Sequence, residues 1–355
     1  MTSKREIIVG DKHYTIIDDA FTKTCIGPNY NYNFMKDTGF FARWGRYKKH
    51  NPSFSPIGPE LLDVEITTSC DGVNGQPCAF CYKNNTTKGN WMSLKIFKKI
   101  FKKLPASVCQ IAFGVDSHCI TNPDCWEIFH HARNHGIIPN VTVAQIDNET
   151  AGELARVMGA VSVTAHDDKS ICYQAVNYLA EQALKTKILK QINIHVMVAK
   201  ETEKLAYDVL SDSTNMRYVN SVVLLALKQK GRGEGFTPLS ENEFGKIVKY
   251  AFKVGAKMGF DSCHCHKFLE CVKDHPQYES FKMVAEPCES GCFSLYVDVH
   301  GRATFCSFLE DVDNIPLFDI LDCNDFLKDI WYHEKAIKFR RRLIRGKREC
   351  PIYNI

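Results

Sequence analysis

The chain has 355 residues, of which 45% are hydrophobic and 24% charged, and a formal net charge of +4. This composition predicts an enzyme-sized globular protein, and the small charge argues neither for nor against a nucleic-acid partner. No run of 18 apolar residues occurs and residues 1–11 are polar and charged. We therefore expect no membrane span, no signal peptide and a cytoplasmic location. In a reducing compartment, the 16 cysteines favour metal or cluster ligation over disulfides.

Strand-like and helix-like segments alternate through the middle of the chain. The predicted strands are 61–67, 108–113, 137–142, 160–164, 191–198 and 221–227. The predicted helices begin at Ser93, Asn122, Glu149, Asp168 and Glu201. Six such β/α units predict a parallel sheet covered by helices, which can curl into a partial barrel. Chemistry in such folds lies at the carboxyl ends of the strands.

Three cysteines lie on one loop directly after the first predicted strand. Cys70, Cys78 and Cys81 are separated by seven and by two residues. Three thiolates can hold three irons of a [4Fe–4S] cluster and leave the fourth iron open for a bound cofactor. The competing interpretation is a zinc site, which needs four closing ligands. No neighbouring Cys or His in the sequence completes such a set.

This loop resembles the cluster loop of radical S-adenosylmethionine (SAM) enzymes, in which the two spacings are usually three and two residues. The chain departs from that pattern by a four-residue insertion, within residues 71–77. The glycines and proline of this segment suit a looped-out excursion. The resemblance implies a SAM-binding [4Fe–4S] cluster held by the three cysteines. It also implies that Phe80, between the last two of them, contacts the adenine of SAM.

Further residues correspond to SAM contacts in that family. Gly114 and Asp116 follow the second predicted strand, where a Gly-Gly-Glu motif usually grips the methionine amino group. Thr164, His166 and His195 fall on or after strands four and five, where ribose and carboxylate contacts usually lie. For the last three, an ordinary role in the core is the competing interpretation.

The C-terminal third carries a second cysteine motif. Twelve residues separate Cys288 from Gly301, and four separate Gly301 from Cys306, with alternating side chains that predict a β-hairpin. The motif resembles the one that opens the SPASM and twitch auxiliary domains of radical SAM enzymes. That resemblance implies a second, auxiliary [4Fe–4S] cluster, and zinc or a hairpin disulfide is the alternative. The expected ligands are Cys263, Cys288, Cys306 and Cys350, with Cys271 as the alternative to Cys263.

Cys263 has a second candidate role. It lies at the open end of the predicted barrel, where some radical SAM epimerases keep a cysteine that donates a hydrogen atom to a substrate radical. An ordinary structural thiol is the third alternative for this residue.

The predicted fold is α/β: a partial (β/α)6 TIM-like barrel with a small C-terminal iron–sulfur auxiliary domain built around a β-hairpin. The expected boundaries are an N-terminal cap segment over 1–60, the barrel core over 61–235 and the auxiliary domain over 236–355. Residues 1–60 are expected to be too short and irregular for a separate peptide-recognition domain.

The resemblance implies an oxygen-sensitive enzyme that cleaves SAM reductively to a 5′-deoxyadenosyl radical, which abstracts a hydrogen atom from the substrate. It also implies an external one-electron reductant of the flavodoxin or ferredoxin type. A peptide substrate, modified or matured after translation, is the leading expectation. The basic segment 338–348 supports a rival nucleotide, sugar or nucleic-acid substrate, and a solvated helix face that covers the auxiliary site is the favoured interpretation of this segment. A non-catalytic zinc or iron–sulfur metalloprotein is the remote alternative.

Overall fold

A computed structural model describes residues 2–47, 50–114 and 118–353. The chain begins with a five-stranded antiparallel sheet in which consecutive strands are neighbours. Its strands are β1 (Ser3–Val9), β2 (Lys12–Asp18), β3 (Thr22–Ile26), β4 (Asn31–Met35) and β5 (Phe41–Trp44). Buried and less buried side chains alternate along β2 and β3, and Tyr14, Ile16 and Phe34 are fully buried. The expectation of an irregular N-terminal segment is therefore wrong.

The second sheet has ten strands in the order β12-β11-β10-β9-β8-β7-β6-β13-β14-β15. These strands are β6 (Leu61–Val64), β7 (Gln110–Phe113), β8 (Ile138–Val143), β9 (Ala160–Thr164), β10 (Gln191–Val198), β11 (Ser221–Ala226), β12 (Met258–Phe260), β13 (Ser294–Val297), β14 (Arg302–Thr304) and β15 (Phe318–Asp319). Strands β6 to β12 are parallel. The β13–β14 hairpin turns at Gly301, whose φ is +84°, and β13 pairs in parallel with β6.

Nine α-helices are described. They are α1 (Leu94–Lys103), α2 (Cys125–Asn134), α3 (Asn148–Val157), α4 (Lys169–Thr186), α5 (Glu203–Ser213), α6 (Glu241–Val254), α7 (Cys265–Cys271), α8 (Tyr278–Val284) and α9 (Glu334–Arg345). Ser93 and Asp168 cap the first turns of α1 and α4 with their side chains, as the sequence predicts. The alternation of β6–β11 with α1–α5 confirms the six predicted β/α units.

Several predicted boundaries are shifted by one to three residues. Helix α2 begins at Cys125 rather than at Asn122, because the Asn122 side chain donates instead to the carbonyls of Ile66 and Met92. Strand β12 ends at Phe260, and Cys263 lies in the 3-10 turn that follows. The sheet also extends past residue 235 through β12, and the hairpin joins its other side. In the described ranges, no helix is long and apolar enough to span a membrane.

Candidate functional site

The first cysteine loop lies at the carboxyl end of β6. The Cys70 amide donates to the carbonyl of Thr86 (2.7 Å), and the Cys81 amide donates to the carbonyl of Cys78 (3.2 Å). All three thiols are partly accessible. Burial raises the pKa of the Cys78 thiol to about 12, and the neighbouring Cys70 and Cys81 thiols contribute to that rise. Three thiols on one loop offer the thiolate donors that metal and iron–sulfur sites use, because a bound metal stabilises thiolates.

The insertion between Cys70 and Cys78 is a tight hairpin. Val73 and Gln76 exchange two backbone hydrogen bonds of 3.0 Å, and the residues between them, Asn74 and Gly75, both have positive φ. An Asn-Gly pair suits this turn because both residues tolerate the left-handed conformation. The four additional residues therefore form a hairpin that projects from the cluster loop.

Two contacts fix this hairpin to the loops that follow β7 and β8. The Asn74 amide donates to the Gln145 side chain (2.8 Å), and the Asp71 carboxylate lies 2.6 Å from His118 Nδ1. The insertion thus borders the carboxyl end of the sheet, on the side of β7 and β8.

Arg232 binds the cluster loop from the opposite side. Its Nε donates to the Cys78 carbonyl (2.9 Å), its Nη2 to the Asn85 carbonyl (3.1 Å), and its amide to the Cys81 carbonyl (3.0 Å). The preceding Gly231 has φ +58°, and a Cβ at that position would lie 2.4 Å from the Tyr82 carbonyl oxygen. The sequence shows this basic, glycine-rich segment but gives no role for it. In the structure it holds the backbone of the cluster loop.

Phe80 is part of an apolar surface beside the three thiols. Its ring stacks on His166, with centroids 5.4 Å apart, and meets Phe236 edge-on at 6.1 Å. It also packs on a small buried cluster at the carboxyl ends of β10 and β11, formed by Met197, Ala199 and Leu227. Such a surface can accept the face of a planar ring. Sequence reasoning identified Phe80 but missed the residues of β10 and β11 that surround it.

His166 lies close to the first cysteine site. Its Nε2 is 3.6 Å from the Cys78 sulfur, and burial lowers the pKa of the imidazole. This histidine is 88 residues from Cys78 along the chain, so the sequence does not show it as a neighbour of the three cysteines. Even so, no three Cys, His, Asp or Glu side chains among the described residues are grouped to hold a single metal ion.

The other candidate SAM contacts occupy the expected edge of the sheet. Gly114 follows β7 with φ +69° and is buried. Thr164 ends β9 and is in register with His195 of β10. Burial lowers the pKa of His195 to about 4, so this imidazole is neutral at physiological pH. Asp116 lies outside the described residues.

The second cysteine site is a small cavity that brings together four distant cysteines. Cys263, Cys288, Cys306 and Cys350 all line it, together with Lys228, Ser290, Phe308, Leu309, Phe339, Pro351 and Tyr353. Burial raises the pKa of each of the thiols Cys263, Cys288 and Cys306. A cubane iron–sulfur cluster is usually held by four cysteine thiolates, and four cysteines surround this cavity. Cys271 lies elsewhere, with its sulfur 3.5 Å from the Glu241 carbonyl.

The basic C-terminal segment serves internal contacts. Arg340 is buried and donates to the carbonyls of Gly291 and Trp331. Arg348 donates to the Cys288 carbonyl (2.8 Å) and its own carbonyl accepts from the Cys288 amide (3.3 Å). These bonds hold the stretch before Cys350 against Cys288, so part of the predicted anionic-substrate surface is instead structural.

The two cysteine sites are in direct contact through the residues that follow them. Tyr82 stacks on Phe308 with a centroid distance of 3.9 Å, and its hydroxyl donates to Ser307 Oγ (2.8 Å). Lys83 forms an ion pair with Glu310 and a hydrogen bond with the Tyr296 hydroxyl (3.0 Å). The cluster loop and the end of the hairpin therefore form one continuous wall.

No family model and no curated protein matches this chain. Among solved structures, the chain is similar to Streptococcus suis SuiB bound to S-adenosylmethionine, with a TM-score of 0.61 and 14% identity over 80% of this chain and 68% of that chain. SuiB bound to its precursor peptide SuiA gives the same score and identity, over 80% and 67%. The structure of anSMEcpe with bound AdoMet gives 0.55 and 16%, over 79% and 80%.

SuiB and anSMEcpe are radical SAM enzymes. At this level of identity the likeness concerns the path of the backbone, and the resemblance of the cysteine loop is independent of it. The chain has the fold of the radical SAM enzymes.

Proposed function

We propose that this protein is a radical SAM enzyme that cleaves SAM reductively and removes a hydrogen atom from its substrate. The observation that carries the proposal is the position of Cys70, Cys78 and Cys81. These three thiols lie on one loop at the carboxyl end of the first parallel strand of a radical SAM fold, beside an apolar aromatic surface. The donor set fits a [4Fe–4S] cluster with one open iron.

When bound, this cluster supplies the electron that breaks a sulfur–carbon bond of SAM. The residues of the chain bind and orient the reactants around it. Phe80 and the apolar residues of β10 and β11 accept the adenine, while Arg232 keeps the cluster loop in position. Gly114 and Thr164 supply backbone and hydroxyl groups at the strand ends. His166, whose Nε2 lies 3.6 Å from the Cys78 sulfur, and the neutral His195 of β10 can exchange hydrogen bonds with the reactants.

We also propose an auxiliary [4Fe–4S] cluster in the second cavity, held by Cys263, Cys288, Cys306 and Cys350. The convergence of these cysteines supports this role for Cys263 over that of hydrogen donor. It equally favours Cys263 over Cys271 as the fourth ligand. A resident cluster at this place borders the wall formed by Tyr82 and Phe308, so it lies next to the SAM site.

A peptide is the substrate class that we propose. SuiB, whose fold this chain shares, has been captured with a precursor peptide. The rival anionic substrate loses support, because Arg340 and Arg348 of the basic segment are buried and bonded to carbonyl groups.

The test is formation of 5′-deoxyadenosine from SAM and dithionite by the anaerobically reconstituted protein. We expect turnover in the wild type, loss of turnover in Cys78→Ala and retention in Cys271→Ala, the matched cysteine control. Equal turnover in Cys78→Ala and wild type contradicts the proposal. Candidate peptides encoded by neighbouring genes, labelled with deuterium, then test the substrate class through deuterium transfer into 5′-deoxyadenosine.

A further inference from the structure

A buried lysine lines the cavity of the four cysteines. Lys228 follows β11 and is only 7% exposed. Its Nζ lies 2.7 Å from the Asp261 carboxylate and 4.7 Å from the centre of the Phe308 ring. Burial of an ammonium group costs several kcal/mol unless a counter-charge is present, so its position needs an explanation.

Asp261 accounts for part of that position. Its carboxylate accepts from the Ala226 amide (3.2 Å) and lies 3.3 Å from His264 Nδ1, so it is fixed from several directions. Among the described residues, Lys228 lines the cavity whereas Asp261 does not. The cavity thus borders Lys228 itself, while the carboxylate that pairs with it is outside the lining.

Burial alone would lower the pKa of Lys228, but the Asp261 carboxylate 2.7 Å from its Nζ raises that pKa above its usual value. The lysine is thus a cation in the wall of a cavity that is otherwise lined by thiols and apolar groups. Tyr353 and Phe339 complete much of the remaining lining. Such an arrangement favours an anionic occupant.

We propose that Lys228 is the charge-compensating residue of the auxiliary cluster and raises its reduction potential, with Asp261 positioning the lysine and moderating its effect. This inference rests on the proposed auxiliary cluster. Four thiolates around a cubane give a net negative group, and one-electron reduction adds a further negative charge. An adjacent ammonium stabilises the reduced form more than the oxidised form, because the Coulomb attraction grows with the added charge.

The test compares reduction potentials in the reconstituted full-length protein. Dithionite titrations with redox mediators are followed by electron paramagnetic resonance. The signal of the auxiliary cluster is identified as the one that does not change when SAM is added. Lys228→Met removes the charge and keeps the length of the side chain. Asp261→Asn removes the counter-charge. Lys230→Met is the matched control, because this neighbouring lysine pairs with the exposed Asp311 (3.0 Å) outside the cavity lining.

We expect a more negative potential in Lys228→Met, a more positive potential in Asp261→Asn and no shift in Lys230→Met. Lys228→Met leaves the buried Asp261 carboxylate without its lysine partner, which can disturb folding. The double variant Lys228→Met/Asp261→Asn removes both charges, and we expect its auxiliary cluster to have a reduction potential below that of the wild type. An unchanged potential in the double variant overturns the role of Lys228 while leaving the auxiliary cluster in place. Absence of a second cluster from the wild type overturns both.

Discussion

Substitution of Gly231 by alanine tests whether the glycine-rich segment holds the cluster loop. Gly231 has φ +58°, and an added Cβ would lie 2.4 Å from the Tyr82 carbonyl oxygen and 2.9 Å from that of Cys81. The left-handed backbone alone costs an alanine about 1–2 kcal/mol. The two contacts are with backbone atoms, which cannot rotate away, so the loop itself must move. We expect a total loss of about 2 kcal/mol or more in the free energy of unfolding, which lowers the Tm of a chain of this length by roughly 3 °C or more.

The assay measures iron retained per chain and SAM-dependent formation of 5′-deoxyadenosine, together with the Tm. Gly235→Ala is the control, because a Cβ at Gly235 meets nothing within 4 Å and its φ is not positive. We expect Gly231→Ala to lose iron from the SAM site and to lose turnover, with Gly235→Ala close to wild type. If the two variants have the same iron content, turnover and Tm, the argument that this segment positions the cluster loop is refuted.

Three further predictions concern single side chains. Arg232→Lys loses the two guanidinium bonds to the Cys78 and Asn85 carbonyls, since an ammonium cannot span both. We therefore expect iron to be lost from the SAM site several-fold faster when a chelator is added. An unchanged rate of iron loss would contradict this role of Arg232. Cys306→Ala should lower the iron content by about four per chain while Cys271→Ala leaves it unchanged, and equal losses would remove Cys306 from the ligand set. His195 has its pKa lowered by burial to about 4, so unfolding takes up a proton between pH 4 and 6.5 and stability falls as the pH falls through that window. His195→Gln should therefore lessen the pH slope of the unfolding free energy there by up to about 1.4 kcal/mol per pH unit, and parallel curves in urea titrations would count against it.

The sequence predicts β9 and β10 well because apolar residues recur through both strands. The predicted bounds of β9 and β10 match the structure residue for residue. Most of their apolar side chains are buried, so the ends of the apolar pattern mark the ends of these strands. The N-terminal sheet was missed because its short strands mix charged and apolar residues, as in β1, which is largely exposed. One-sided strands of this kind give a weak signal until their partners are known.

The sequence predicts those residues of the candidate site that belong to short motifs along the chain. Both cysteine motifs are local, and the structure brings the two predicted groups to separate places that touch each other. The roles of Arg232 and Lys228 depend on contacts across the fold. Arg232 reaches Cys78 from a distance of 154 residues along the chain, and Asp261 lies 33 residues from Lys228. Contacts of that kind depend on how the strands are arranged in the fold. They cannot be predicted from the spacing of residues in a single sequence.

The most direct test of the whole account is elemental analysis of the anaerobically reconstituted wild-type protein. Two [4Fe–4S] clusters predict about eight irons and eight sulfides per chain, and the SAM-binding cluster predicts SAM cleavage by the same sample after reduction. Stoichiometric zinc, with neither iron nor 5′-deoxyadenosine, would contradict the assignment of Cys70, Cys78 and Cys81 to a SAM-cleaving cluster.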